Sequence, residues 1–177
     1  MNRNELVNLI KNFKERYTDR QSIETMLMFQ GMNLNQANHD RAINLILEGI
    51  DIYKQYNDYK ESIQKLNQAI VISPSATAYF NRGTIHWCEH DYFNSFKDHC
   101  SSLILDTENY PLSYFYLAHS TYEITGKSEP SSISDELFIL NFVVEMLQEG
   151  AERKEPNAIQ MLDHAIGHRD FIKEKLA

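Results

Sequence analysis

Residues that break helices are scarce in this chain. Its 177 residues include only 6 Gly and 4 Pro. These fall between segments of helical apolar spacing, which disfavours sheets built on glycine turns and favours long helices joined by short loops. Cysteine is almost missing: Cys88 and Cys100 are the only two, too few for a disulfide-stapled scaffold. They fall on neighbouring predicted helices, so spacing leaves a bridge open. Two half-buried free thiols in a reducing compartment fit the composition better. Long apolar runs are absent, and none approaches the roughly 20 residues that a bilayer-spanning helix needs. The first residues, Met1 to Glu5, lack the apolar core of a secretory leader. Positive charge is in deficit, 17 Lys and Arg against 25 Asp and Glu, for a net charge of −8. Phosphate backbones and anionic membrane surfaces repel such a chain. Neither nucleic acid nor membrane is expected as a partner, and a cytoplasmic location is the default.

The spacings that carry catalysis are missing as well. Gly126-Lys127-Ser128 ends like a phosphate loop but lacks the earlier glycine and a preceding strand. His164 and His168 share a helical face near Asp163 and Asp170, yet no Glu adjoins the first His, so they read as half-exposed surface histidines. The densest ligand-type group is His86, Cys88, His90, His99 and Cys100. Three imidazoles, His86, His90 and His99, could hold a zinc ion. No metal-site spacing matches, and His86 and His99 sit where packing residues are needed. No enzyme and no cofactor is expected.

Apolar residues at helical intervals are abundant. Leu6, Leu9, Ile10, Phe13 and Tyr17 mark a first helix over residues 4–17. A short second helix runs through Ile23, Met26 and Leu27 to Gly31, and the Asn-rich stretch 33–38 reads as a loop. Further helices are expected from Asp40 to Tyr56, Asp58 to Ser73, Ser75 to Glu89, Asp91 to Leu105, Pro111 to Thr125, Ser134 to Gly150, and from Pro156 onward. The total is about ten helices and no strand.

Two stretches carry one pattern written twice. Gly49 is followed by Asp58-Tyr59, Ser62, Leu66, Ala69-Ile70, Ile72 and Pro74, and Gly83 by Asp91-Tyr92, Ser95, His99, Ser102-Leu103, Leu105 and Thr107. The glycines stand 34 residues apart and the later pairs 33 apart. A period of that size marks a helix-turn-helix array. Small residues (Gly49, Gly83, Ala118, Ser62, Ser95, Ala69, Ser102) let helices approach, and Tyr59 and Tyr92 fill the gap near each turn.

On these residues, from Tyr79-Phe80-Asn81-Arg82-Gly83 through Asp91-Tyr92 to Leu105, the chain resembles the tetratricopeptide repeat (TPR) family. The match covers roughly residues 42–125. The resemblance implies an all-α, right-handed superhelical array of antiparallel helix pairs, about three repeats in one domain. N-terminal capping helices take residues 1–38, repeat one 39–74, repeat two 75–108, a degenerate repeat three 109–150, and a C-terminal capping helix 151–177. The N-terminal and C-terminal helices would cover the ends of the stack.

In this family the first helices of the pairs line a concave groove. Here that implies a partner-binding face of Ile46, Ile50 and Tyr53, then Phe80, Thr84 and Trp87, then Phe115, His119 and Tyr122, with Ile43, Thr77, Cys88 and Leu112 alongside. The carboxylate-gripping Lys, Asn and Arg of one chaperone-binding subclass are replaced by Ile46, Ile50, Phe80 and Thr84, so an apolar or helical segment is the implied ligand. The expected role is an adaptor-like or chaperone-like module for a protein or peptide partner. The alternative is a self-assembling repeat protein whose groove is filled by its own helices or a second copy.

Overall fold

The computed structural model describes residues 3–19, 36–127 and 132–176. Among them are eight helices and no strand: α1 (Arg3–Thr18), α2 (Gln36–Tyr56), α3 (Tyr59–Ile72), α4 (Ala76–Cys88), α5 (Tyr92–Leu105), α6 (Leu112–Gly126), α7 (Ile133–Glu152) and α8 (Pro156–Glu174). The short helix expected through Ile23 and Leu27, its stop at Gly31, and most of the Ser-rich loop before Ser132 lie outside the described residues. None of these helices is long and apolar enough to cross a membrane.

Side-chain caps fix the helix starts. Asp58 accepts from the Glu61 amide at 3.0 Å, Asp91 from Asn94 at 3.3 Å, Ser75 from Ala78 at 3.2 Å and Ser132 from Asp135 at 3.1 Å. Each satisfies one of the free N–H groups of a first turn. The turns after α2, α4 and α7 each pass through one left-handed residue, Asn57 (φ 51°), His90 (φ 61°) and Lys154 (φ 61°). Asn tolerates this region well; His and Lys bear a cost of about 1 kcal/mol. α2 begins at Gln36, inside the stretch read as a loop, because Gln36 Nε2 reaches Asp40 Oδ1 at 2.9 Å along the same helical face.

Consecutive helices pack as antiparallel neighbours. Ser62 Oγ donates to the Gly49 carbonyl at 2.7 Å, and Arg82 clasps Asp98 while His86 meets Asp91 nearer the turn. α2, α4, α6 and α8 also touch in succession. One large core cluster joins α1, α5, α6, α7 and α8, and a smaller one joins α2, α3 and α4.

The N-terminal helix does not sit on the first helix pair. α1 packs against α5 and α7, burying Leu6, Val7, Ile10 and Phe13 beside Phe96 and Phe142, whose rings lie 6.3 Å apart. Two polar contacts tie it to α6, Tyr17 Oη to Tyr114 Oη at 2.7 Å and Arg3 to the Thr125 carbonyl at 3.3 Å. The seat is apolar, and Leu6, Ile10 and Phe13 are its complement; removing that area from water outweighs proximity along the chain.

Candidate functional site

Six of the nine residues expected on the partner-binding face lie on two helices that touch. Phe80, Thr84 and Trp87 lie on α4, and Phe115, His119 and Tyr122 on α6. The Trp87 ring centre is 5.3 Å from His119, 6.3 Å from Phe115 and 5.1 Å from Tyr116. Phe80 approaches Tyr110 at 5.1 Å and His99 at 5.7 Å. Tyr122 reaches α8, with its ring 5.6 Å from His168 and 6.1 Å from His164 and its hydroxyl hydrogen-bonded to His168 Nδ1. The result is a half-buried aromatic strip on α4 and α6, with a second aromatic contact from α6 to α8 at Tyr122. Thr84 bonds back to the Phe80 carbonyl at 2.9 Å, which satisfies its hydroxyl within α4.

The strip has defined polarity. The Trp87 indole donates to His119 Nδ1 at 3.1 Å, so the neutral His119 ring carries its proton on Nε2. Burial pushes His119 below the ordinary histidine range, partly offset by the Glu123 carboxylate. Burial likewise raises the Tyr116 and Tyr122 phenols. Neutral rings with a few oriented donors form a surface for apolar groups.

The three residues on α2 go elsewhere. Ile46 is only 5% exposed and belongs to the smaller core with Leu66, Ala69, Ala78 and Ile85. Ile50 is half-buried against the same cluster, because α4 packs over α2 there. Tyr53 donates to Glu89 Oε1 at 2.8 Å, and burial with that carboxylate raises its phenol well above the usual range. The sequence expectations left out Tyr110 and Tyr116, and placed His168 on the surface rather than against Tyr122. Their signal was faint: Tyr116 is one position off the expected helical stripe, and Tyr110 precedes α6.

The imidazoles read as a zinc candidate are each engaged separately. His86 Nδ1 meets Tyr59 Oη at 3.0 Å and Asp91 at 3.3 Å. His90 Nδ1 bonds Tyr92 Oη at 2.8 Å. His99 Nδ1 meets Ser113 Oγ at 3.2 Å, and its ring stacks on Tyr116 at 4.7 Å. No three His, Cys, Asp or Glu side chains converge as metal ligands among the described residues. Both cysteines are free, Cys88 exposed and Cys100 buried rather than both half-buried; burial raises the Cys100 thiol.

Beside the strip lies a polar group. Arg82 Nε and Nη2 grip Asp98 at 2.8 and 2.6 Å, and His86 Nε2 stands 3.9 Å from the same carboxylate. No protein-family model matches the chain, and comparison with curated proteins finds no similar sequence.

Proposed function

We propose that the chain is a non-catalytic, TPR-type interaction module: a right-handed superhelical array of about three helix pairs. It holds an apolar or helical segment of a partner polypeptide against α4, α6 and α8, in an adaptor-like or chaperone-like role in the cytoplasm. One observation carries this reading. Aromatic side chains of α4 and α6 form a half-exposed cluster, with the Tyr122–His168 contact to α8 further along α6, while α1 is seated on α5 and α7. Trp, Tyr and Phe on a rigid scaffold are the usual anchors of protein interfaces. The two glycine contacts that recur 34 residues apart support the repeat architecture.

A photo-crosslinking residue at Thr84, beside Trp87, tests the reading in the native host. It should trap a defined partner that the same residue at Glu61 on α3 does not, and Trp87→Ala with Phe115→Ala should abolish the adduct. Equal trapping from both positions would refute it.

A second reading, self-assembly, has its own observation. Ile43 (42% exposed) and Leu47 (54%) on α2, and Ile159 (52%) and Phe171 (55%) on α8, leave apolar side chains uncovered at both ends of the helix row. Under that reading the mass seen by light scattering rises with concentration, and Leu47→Lys reverses the rise.

A further inference from the structure

We propose that a trough along α3 is a second docking surface, fitted to an acidic, extended segment of polypeptide. It shares no residue with the aromatic strip and stands independently of the reading above.

Two cavities adjoin there. One, of about 280 Å³, opens between α3, α4 and α5 and is lined by Asn67, Arg82, Lys97 and Asp98. The other, of about 490 Å³, runs beside the last turns of α3 and is lined by Arg41, Gln64, Gln68, Val71 and Ile72. Asn67 borders both. The gap exists because α3 and α5 are not packing neighbours. The comparable gap between α5 and α7 is filled by α1, whose buried side chains are apolar. The smaller cavity is lined mainly by amides and charges, which a second helix of the α1 type would strand without partners; Val71 and Ile72 add an apolar wall at the far end of α3.

The lining selects for acceptors. Among the described residues Asp98 is the one carboxylate in the walls, and the bidentate Arg82 contacts neutralise it. Asn67 Oδ1 accepts from Arg82, which turns the Asn67 amide N–H groups outward as donors. Lys97 rests over the Phe93 ring at 5.2 Å and meets no carboxylate among the described residues. Arg41 likewise has no ion-pair partner among them. Among the described residues each cavity therefore offers one cation without an ion-pair partner, in a chain whose net charge is −8. Gln64 and Gln68, one helical turn apart, line the same cavity as Arg41 and can pair with peptide N–H and C=O groups. Cations in two adjoining cavities, with the Asn67 amide common to both, match carboxylates spaced along an extended chain better than they match one compact anion.

The test is fluorescence anisotropy at low ionic strength with labelled short peptides alternating Glu with Gly or Ser, against matched peptides in which Gln replaces Glu. Saturable binding of the Glu peptides alone is expected. It should weaken about tenfold in Arg41→Gln/Lys97→Gln and fall steeply with added salt. Circular dichroism confirms that these surface changes leave the fold intact. Three results would overturn the proposal: no saturable binding, binding indifferent to the double substitution, or inorganic phosphate competing so well that peptide length adds nothing. The last would mark a small-anion site. A defect in the strip variants that spares peptide binding here separates the two surfaces.

Discussion

The imidazole of His99 occupies the space that a side chain at Gly83 would need. A Cβ at Gly83 would stand 2.9 Å from His99 Nε2 and 3.0 Å from the Asp98 Cβ. The glycine is required by a ring from the partner helix, not by its own backbone conformation. Gly83→Ala should therefore destabilise the fold by about 1–2 kcal/mol, the overpacking cost less the helix propensity gained. Gly167 is the control, since nothing lies within 4 Å of a Cβ built there. Gly167→Ala should stabilise by about 0.5–1 kcal/mol. Opposite shifts in urea midpoint are the expected result, and shifts of the same sign would refute the account.

His99 also predicts a pH dependence. It is fully buried, and burial lowers its pKa to about 3, a drop only partly offset by the Gly83 carbonyl nearby. Nε2 makes no hydrogen bond of good geometry. The folded chain resists a proton that the unfolded chain accepts near pH 6.5. Stability is thus complete above about pH 6.5 and declines as pH falls toward 3, by an amount on the order of 4 kcal/mol over that span. His86 is lowered by burial too and adds a slope of the same sign. A phenyl ring suits the walls of Phe80 and Tyr116, so His99→Phe should flatten the decline in denaturant titrations between pH 7 and 4.

Much of this architecture was legible because it follows local rules. Asp58 and Asp91 read as helix starts and accept the expected amides. Gly49 and Gly83 read as points of close approach, and atoms of the next helix stand 3.1 and 2.9 Å from their virtual Cβ positions. The seat of α1 was not legible, because an amphipathic helix declares that it has a buried face but not which distant face will cover it. The fate of Ile46 was hidden for the same reason: only the placement of α4 over α2 decides between groove and core. The Arg82–Asp98 pair was hidden by its composition. Glu48 and Lys65 hold the corresponding repeat positions with the signs exchanged and pair at 2.8 Å, so the periodicity preserves a pair and not a residue type.

That pair yields a third prediction. Asp98 is 4% exposed, so Asp98→Ala leaves the Arg82 guanidinium without its counter-charge and should cost about 3 kcal/mol. Replacing both partners, Arg82→Met with Asp98→Leu, should recover most of that loss, since two apolar side chains need no partners. A double-mutant cycle by denaturant unfolding measures it. Additive losses would show that the pair acts as two separate anchors.

Phe13 tests the seating of α1. It is 3% exposed, with its ring 5.9 Å from Phe142 and edge-on to it. Phe13→Ala should lower stability by about 3–4 kcal/mol, far more than substitution of the exposed Lys11 two residues away. If α1 were an independent arm, the variant would keep its urea midpoint and lose only α1's hydrogen-exchange protection.

Trp87 is the only tryptophan and lies within the aromatic strip, so the protein carries its own reporter of that surface. Its indole N–H donates to His119 Nδ1 at 3.1 Å. Protonation of His119 removes the acceptor and places an imidazolium beside the indole, which quenches emission. Burial holds His119 below its ordinary value, so emission should stay constant above neutral pH and fall only as pH drops below about 6.5. His119→Phe should abolish the transition and leave the fold intact, and His90→Phe should leave the transition in place. A bound apolar segment would shift the emission to the blue and move the midpoint further down, since excluding water from the strip disfavours the charged ring more strongly. A transition that survives His119→Phe would place the quenching proton elsewhere and remove Trp87 as a reporter of this face.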